Sequence, residues 1–141
     1  MNKDIFKELI RENRLRLSHP RFLIYQELSE AATSLSPQEL YHLLHKKKRK
    51  IGLTSIYRCL DLFESLEIVF RVAGRPNVKY RLCESDHHHH HIVCKQCGKV
   101  VELNFCDISD WSKKVTECTG YEVTDHRLNF YGYCGNCRKE G

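Results

Sequence analysis

The chain lacks the long apolar runs and leader features of membrane and secreted proteins. Its 141 residues contain no stretch approaching the roughly 18 consecutive apolar residues that span a bilayer. Residues 1–11 are charged throughout and lack the apolar core of a signal peptide. The sequence also has no internal repeat. We therefore expect one or two small domains in the cytoplasm, with no membrane partner.

Cysteine, in contrast, is abundant. Thiols stay reduced in the cytoplasm, so the eight cysteines favour metal binding over disulfides. Four of them form two C-x-x-C pairs, which is the sequence form of a tetrahedral four-thiolate zinc site. The alternative is two disulfides or four unused thiols. The predicted structural zinc ligands are Cys94, Cys97, Cys134 and Cys137.

The charges are distributed unevenly along the chain. The formal net charge is +5 with histidine neutral. Lysine and arginine are concentrated in the first part, including the run 46–50, whereas cysteine and histidine are concentrated in the second. This bias permits nucleic-acid binding without requiring it, and the basic run alone is equally typical of a solvated loop.

The first part of the chain predicts a winged helix-turn-helix domain over residues 1–84. Ser36, Pro37 and Glu39 form a capping box with proline at the first helical position. A turn at 73–77 separates the two strands. Helices followed by a basic hairpin are typical of this DNA-binding fold. The expected helices cover 3–14, a segment after Ser18, a segment after Ser36, and 53–66, and the strands cover 68–72 and 78–82.

The fourth predicted helix carries the candidate DNA contacts. Ile56, Leu60 and Phe63 recur at helical spacing and should face inward. The opposite face is polar and holds an aromatic residue beside an arginine, which suits contact with base edges. An ordinary surface helix is the alternative. The candidates on that face are Thr54, Ser55, Tyr57 and Arg58.

The second part, residues 85–141, predicts a small β-β-α-β-β domain. A domain of this size rarely holds together by its core alone, so a zinc site and an oligomer interface should stabilise it. Gly120 should end its helix. Cys118, like Cys59 in the first part, is most simply a core thiol. The expected strands are 91–94, 99–103, 121–123 and 127–133, and the helix face is Ile108, Trp111, Val115 and Cys118.

Five consecutive histidines, residues 87–91, precede the first C-x-x-C pair. Side chains alternate between the two faces of a strand, so two opposite sets of imidazoles can serve two metal sites. Neutral imidazole binds zinc well, and sulfur from Cys83 would favour zinc over iron or manganese. The alternative is that the histidine run is a purification tag. Glu102 and His126 are further candidate ligands.

These motifs resemble the ferric uptake regulator superfamily of bacterial metalloregulators. The resemblance is carried by residues 52–58, 94–102, 125–126 and 130–137. It implies an α+β protein, with a winged-helix domain and a small C-terminal α/β dimerisation domain that has a structural zinc site. It also implies a homodimeric, metal-dependent repressor of AT-rich palindromic operators in double-stranded DNA. Tyr57 and Arg58 would contact that DNA, with Arg16 near the minor groove.

Within the superfamily, the chain is most similar to the zinc uptake regulator branch. Iron and peroxide sensors usually place a histidine where this chain has Ser34 and a carboxylate where it has Arg81. The zinc branch uses a cysteine followed six and eight residues later by histidines. Cys83, His89 and His91 have this spacing and form the implied regulatory site. Some members of the branch have a further ligand, an aspartate, at the position that is Val69 here. The fourth ligand could therefore be another histidine, Glu102 or water.

The resemblance also implies an additional metal site. In the family this site uses alternate histidines, a carboxylate from the start of the helix and a late histidine. His88, His90 and His126 match the histidines. The carboxylate position is Ser109, with Asp110 beside it, and Glu102 is a further candidate.

Three other functions are alternatives. A zinc hydrolase could use Glu102 as its base, but the chain has no H-E-x-x-H motif, and we expect no enzyme. An iron or peroxide sensor of the same family would bind iron or manganese instead of regulatory zinc. A zinc-ribbon adaptor would leave the helices of the first part unexplained.

Overall fold

The computed structural model describes residues 1–72, 77–84 and 88–139. It divides into two compact units, Met1–Asp86 (unit 1) and His87–Gly141 (unit 2). Residues 73–76 of the predicted turn, and His87, lie outside the described part. The elements in chain order are α1 Lys3–Glu12, α2 His19–Glu30, α3 Pro37–Lys46, α4 Leu53–Ser65, β1 Val69–Val72, β2 Lys79–Leu82, β3 His90–Cys94, β4 Val100–Leu103, α5 Ser109–Thr119, β5 Asn129–Gly132 and a 3₁₀ turn Cys137–Lys139.

Side-chain caps explain where two helices of unit 1 begin. The side chain of Asn2 accepts hydrogen bonds from the backbone N–H groups of Asp4 and Ile5, both at 2.9 Å. Ser36 Oγ accepts from the Glu39 N–H at 3.2 Å, and Glu39 Oε2 accepts from the Ser36 N–H at 2.7 Å. The predicted capping box is therefore present, and it satisfies N–H groups that a helix start leaves open. None of the described helices is both long and apolar enough to cross a membrane.

The core of unit 1 forms around a group of aromatic side chains. Phe6 stacks on Tyr25, with ring centroids 4.1 Å apart, and meets Phe63 edge-on at 5.4 Å. Ile56 and Leu60 of α4 are also fully buried, as their spacing predicted. This packing orients α4 so that its other face remains exposed.

A β-hairpin follows the helices. Strands β1 and β2 pair antiparallel, with Val69 opposite Leu82. Leu35, just before α3, forms a bridge with Tyr80 through backbone bonds of 2.9 and 2.7 Å. Helices that pack beside a short sheet confirm the α+β class, and the wing-like hairpin is in the predicted place.

Unit 2 contains a three-stranded sheet in the order β4-β3-β5. Strand β3 pairs antiparallel with β4 and parallel with β5. Helix α5 ends at Gly120, whose φ of 73° is the left-handed conformation that glycine adopts easily.

Two expectations for unit 2 are wrong. Residues 121–123 form no strand and pair with none of the three strands of the sheet, and Tyr121 is 76% exposed. Cys118 is exposed and is not a core thiol, because α5 buries none of its side chains in this single chain, where Trp111 is 69% exposed. Cys59, by contrast, lies in the core of unit 1.

Candidate metal centres and nucleic-acid surface

Two turns at the end of the sheet in unit 2 carry the C-x-x-C pairs. Strand β3 ends at Cys94, whose carbonyl accepts from the Gly98 N–H at 2.9 Å. The φ of Gly98 is 71°, which permits this tight turn. The parallel register pairs Cys94 with Gly132, so β5 delivers Cys134 to the same end of the sheet. Strand pairing thus brings together two turns that are distant in sequence.

The four sulfur atoms converge. All four Sγ atoms lie within 4.8 Å of one another, and those of Cys97 and Cys134 are 3.7 Å apart. Tetrahedral zinc with Zn–S bonds of about 2.3 Å requires sulfurs about 3.8 Å apart. None of the four is in a disulfide. Residues Cys94, Cys97, Cys134 and Cys137 therefore fit a structural zinc ion.

The electrostatics of the four thiols also suit a cation. The backbone N–H groups of Cys97 and Cys134 lower the pKa of the Cys94 thiol to about 6. A hydrogen bond with the Cys134 side chain raises the pKa of the Cys137 thiol to about 12. Thiolates this close repel one another, and a divalent cation allows all of them to ionise.

A second group forms on one side of β3. Glu102 on β4 is the direct cross-strand partner of His91. Its Oε1 lies 3.8 Å from His91 Nε2 and 3.9 Å from His89 Nε2. Burial, followed by the proximity of His89, lowers the pKa of His91 to about 4. His91 is therefore neutral near pH 7, the form of imidazole that binds metals.

Cys83, the predicted partner of these histidines, follows strand β2 in unit 1. It is buried, and its N–H donates to the Ile68 carbonyl at 3.0 Å.

A third group lies in unit 2 around His126, which precedes β5. His126 Nε2 is 2.9 Å from His88 Nε2, 3.4 Å from His90 Nε2 and 3.0 Å from Cys106 Sγ. The three predicted histidines therefore come together. Asp110, in the first turn of α5, is not a member of this group, and Glu102 belongs to the second group. Cys106 was missed because it lies in the loop between β4 and α5, where no spacing pattern marks it.

The predicted DNA contacts of α4 share one exposed face. Thr54, Ser55, Tyr57 and Arg58 are exposed, and Ile56 is buried on the opposite face. Gln38 on α3, which sequence reasoning missed, donates from Nε2 to the Tyr57 hydroxyl at 2.9 Å. This bond orients the ring.

Further basic groups of unit 1 are also exposed. Arg16 lies between α1 and α2, and its carbonyl accepts a hydrogen bond from Arg21. In the basic run 46–50, Lys47 pairs with Glu27 and Glu30, each at 2.9 Å. Part of that run is therefore neutralised locally.

Known proteins resemble the chain over most of its length. The family model described as "Ferric uptake regulator family" matches residues 12–131. A ferric uptake regulation protein of Neisseria gonorrhoeae is 34% identical over 136 residues, covering 94% of this chain and 92% of the relative. The solved ferric uptake regulator of Helicobacter pylori is 25% identical with a TM-score of 0.59, covering 96% of this chain and 93% of that one.

A zinc uptake regulator solved with zinc and DNA has a TM-score of 0.72. It covers 95% of this chain and 91% of that one at 21% identity, so the likeness concerns the fold. Family members are metal-responsive transcriptional regulators that bind operator DNA as dimers, and they are not enzymes. Because the family model spans most of the sequence, this chain belongs to the ferric uptake regulator family.

Proposed function

We propose that the protein is a zinc-responsive repressor of zinc-uptake genes, which acts in the cytoplasm. It binds an AT-rich palindromic operator as a homodimer, with unit 1 on the DNA and unit 2 forming the dimer and holding the metals. The observation that carries this proposal is that the histidines around β3 form two opposite groups, one beside Glu102 and the other beside Cys106 and His126. Two ligand sets at the start of one central strand suit a sensor of metal ions.

The exposed face of α4 supports the DNA-binding role. Arg58 can donate two hydrogen bonds to a guanine edge in the major groove, and the Tyr57 ring can contact a thymine methyl group. Thr54 and Ser55, at the start of the helix, can donate to phosphate oxygens. Arg16 is placed by the family resemblance near the minor groove.

The regulatory zinc is bound by Cys83, His89 and His91. Support comes from the convergence of His89 and His91 on Glu102, which is then the fourth ligand. Thiolate and imidazole together favour zinc. Arg81, where iron sensors have a carboxylate, lies 3.6 Å from Glu84 and offers no ligand to a metal.

Metal binding controls DNA binding through the connection between the units. Cys83 belongs to unit 1, whereas the histidines belong to unit 2. A metal bound by all three restricts the motion of one unit relative to the other. Zinc then favours the DNA-competent dimer by its higher affinity for that state. The four-thiolate zinc stabilises unit 2 throughout, and His88, His90 and His126 provide the additional site.

Iron is the second candidate signal. His89, His91 and Glu102 supply two imidazoles and one carboxylate, a donor set typical of iron(II). The curated relatives are also named as ferric uptake regulation proteins. Without Cys83 in the coordination sphere, this set would serve iron or manganese in an iron or peroxide sensor.

Operator binding across buffered free zinc, manganese and iron(II) separates the two candidates. We expect tight binding at trace zinc and none with iron or manganese at comparable free concentrations. The variant Cys83→Ser should lose the zinc response and keep the four-thiolate zinc. Cys118→Ser, at an exposed cysteine outside the three groups, is the matched control. A normal zinc response in Cys83→Ser contradicts the assignment.

A further inference from the structure

The third metal group contains a sulfur atom that the predicted site lacks. Cys106 Sγ lies 3.0 Å from His126 Nε2. The four possible ligand atoms of Cys106, His88, His90 and His126 all lie within 4.8 Å of one another. Cys106 is exposed, so it is accessible to an incoming ion. Cys106 is therefore positioned as a metal ligand, and it is not a core thiol.

The positions of these four side chains allow them to bind a single metal ion. His88 and His90 lie on one side of the β3 segment, Cys106 lies in the loop before α5, and His126 lies in the segment before β5. Tetrahedral zinc with Zn–N bonds of about 2.0–2.1 Å and a Zn–S bond of about 2.3 Å needs ligand atoms about 3.3–3.6 Å apart. The three distances to His126 Nε2, from 2.9 to 3.4 Å, require only small adjustments.

The carboxylates near this site have other contacts or lie outside the group. Asp107 accepts from Ser109 Oγ at 3.0 Å, and Asp125 accepts from the His126 N–H at 2.7 Å. Among the described residues, no carboxylate is a member of the group. The donors are thus three imidazoles and one thiol. Imidazole and thiolate ligands suit zinc, whereas carboxylate-rich sites suit manganese and other hard ions.

We propose that Cys106 is the fourth ligand of the additional site and gives that site a preference for zinc over iron(II) and manganese. The inference rests on the additional site of the proposed function and specifies its donor set and metal. On binding, the Cys106 thiol releases its proton to solvent and a sulfur–metal bond forms, with no transfer of electrons. His88, His90 and His126 bind as neutral imidazoles.

Cobalt(II) spectroscopy tests this assignment without DNA. The full chain is prepared with zinc retained in the four-thiolate site and with the substitution Cys83→Ser. Neither the four-thiolate site nor the regulatory site then gives a sulfur–cobalt signal. Added cobalt should produce thiolate-to-cobalt charge-transfer absorption in the near ultraviolet and the intense visible bands of tetrahedral cobalt. A further Cys106→Ser substitution should abolish the charge-transfer band and weaken cobalt binding by at least about 10–100-fold, the loss typical for the supporting partners of metal ligands.

Two additional variants separate coordination from folding. Cys118→Ser in the same background should retain the full spectrum, because Cys118 lies outside the group. Cys106→Asp keeps an anionic donor and should shift the preference towards manganese and iron(II), with binding retained. An unchanged charge-transfer band in Cys106→Ser overturns the role of Cys106. Absence of any cobalt binding beyond the His89–His91 group overturns the additional site as well.

Discussion

His91 on β3 and Glu102 on β4 are direct cross-strand partners, and their Nε2 and Oε1 atoms lie 3.8 Å apart. His89 approaches the same carboxylate oxygen at 3.9 Å. The antiparallel register thus places one acidic side chain against two imidazoles that lie two residues apart in sequence. A partly buried carboxylate in this position either binds the metal directly or orients the histidines that do.

The variant Glu102→Gln should weaken binding of the regulatory metal by about 10–100-fold, because the amide carries no charge and is a poor metal ligand. The measurement is a competition titration of zinc with a chelator, using protein whose four-thiolate site is already filled. Glu117→Gln, at an exposed glutamate on α5, is the control and should bind normally. Equal affinities for the two variants would remove Glu102 from the site.

The variant Cys97→Ser should lose the structural zinc and unfold unit 2. Binding at structural zinc sites provides about 10–16 kcal/mol, which equals or exceeds the about 5–15 kcal/mol stability of a typical domain. Zinc analysis and amide NMR spectra give the readout, and the spectrum of unit 1 should persist because Phe6, Tyr25 and Phe63 form a separate core. Cys118→Ser should keep its zinc. A folded, zinc-free unit 2 in Cys97→Ser would contradict the structural role.

The variant Arg58→Ala should weaken operator binding by about 1–3 kcal/mol, or about 5–150-fold, through loss of a paired contact to a base. Its zinc content should remain unchanged, because Arg58 belongs to none of the three candidate metal groups. Electrophoretic mobility shifts at fixed salt and fixed free zinc provide the measurement. Arg11→Ala, at an exposed arginine on α1, controls for loss of charge. Equal losses for both variants would indicate a non-specific charge effect.

Cys59 should be the slowest cysteine to react with a thiol-alkylating reagent in the zinc-loaded protein. Burial raises the pKa of its thiol to about 12, so almost no reactive thiolate is present from pH 7 to pH 9. Its labelling should therefore follow unfolding of unit 1 and not the ionisation of an accessible thiol. Mass spectrometry of labelled peptides compares it with the exposed Cys118. Labelling of both at similar rates would show that α4 is not packed as described.

Local signals in the sequence predicted most of unit 1 correctly. The capping box at Ser36 and the apolar spacing of Ile56, Leu60 and Phe63 depend on neighbours within a few residues. Such interactions are set by helix geometry, so they are readable without knowledge of the fold. The absent strand at 121–123 illustrates the opposite case, because a strand forms only where another strand of the fold pairs with it, and neighbours in sequence do not decide that.

The sequence by itself determined the types of ligand, because C-x-x-C spacing and alternating histidines specify which donors share a turn or a face. Only the tertiary structure decided which donors from distant segments meet. The parallel pairing of Cys94 with Gly132 places the second C-x-x-C turn beside the first. The register of β3 with β4 places Glu102 opposite His91. The loops around α5 bring Cys106 to His126. Strand register and loop paths depend on packing across the whole unit, and a shift of one residue would exchange the faces.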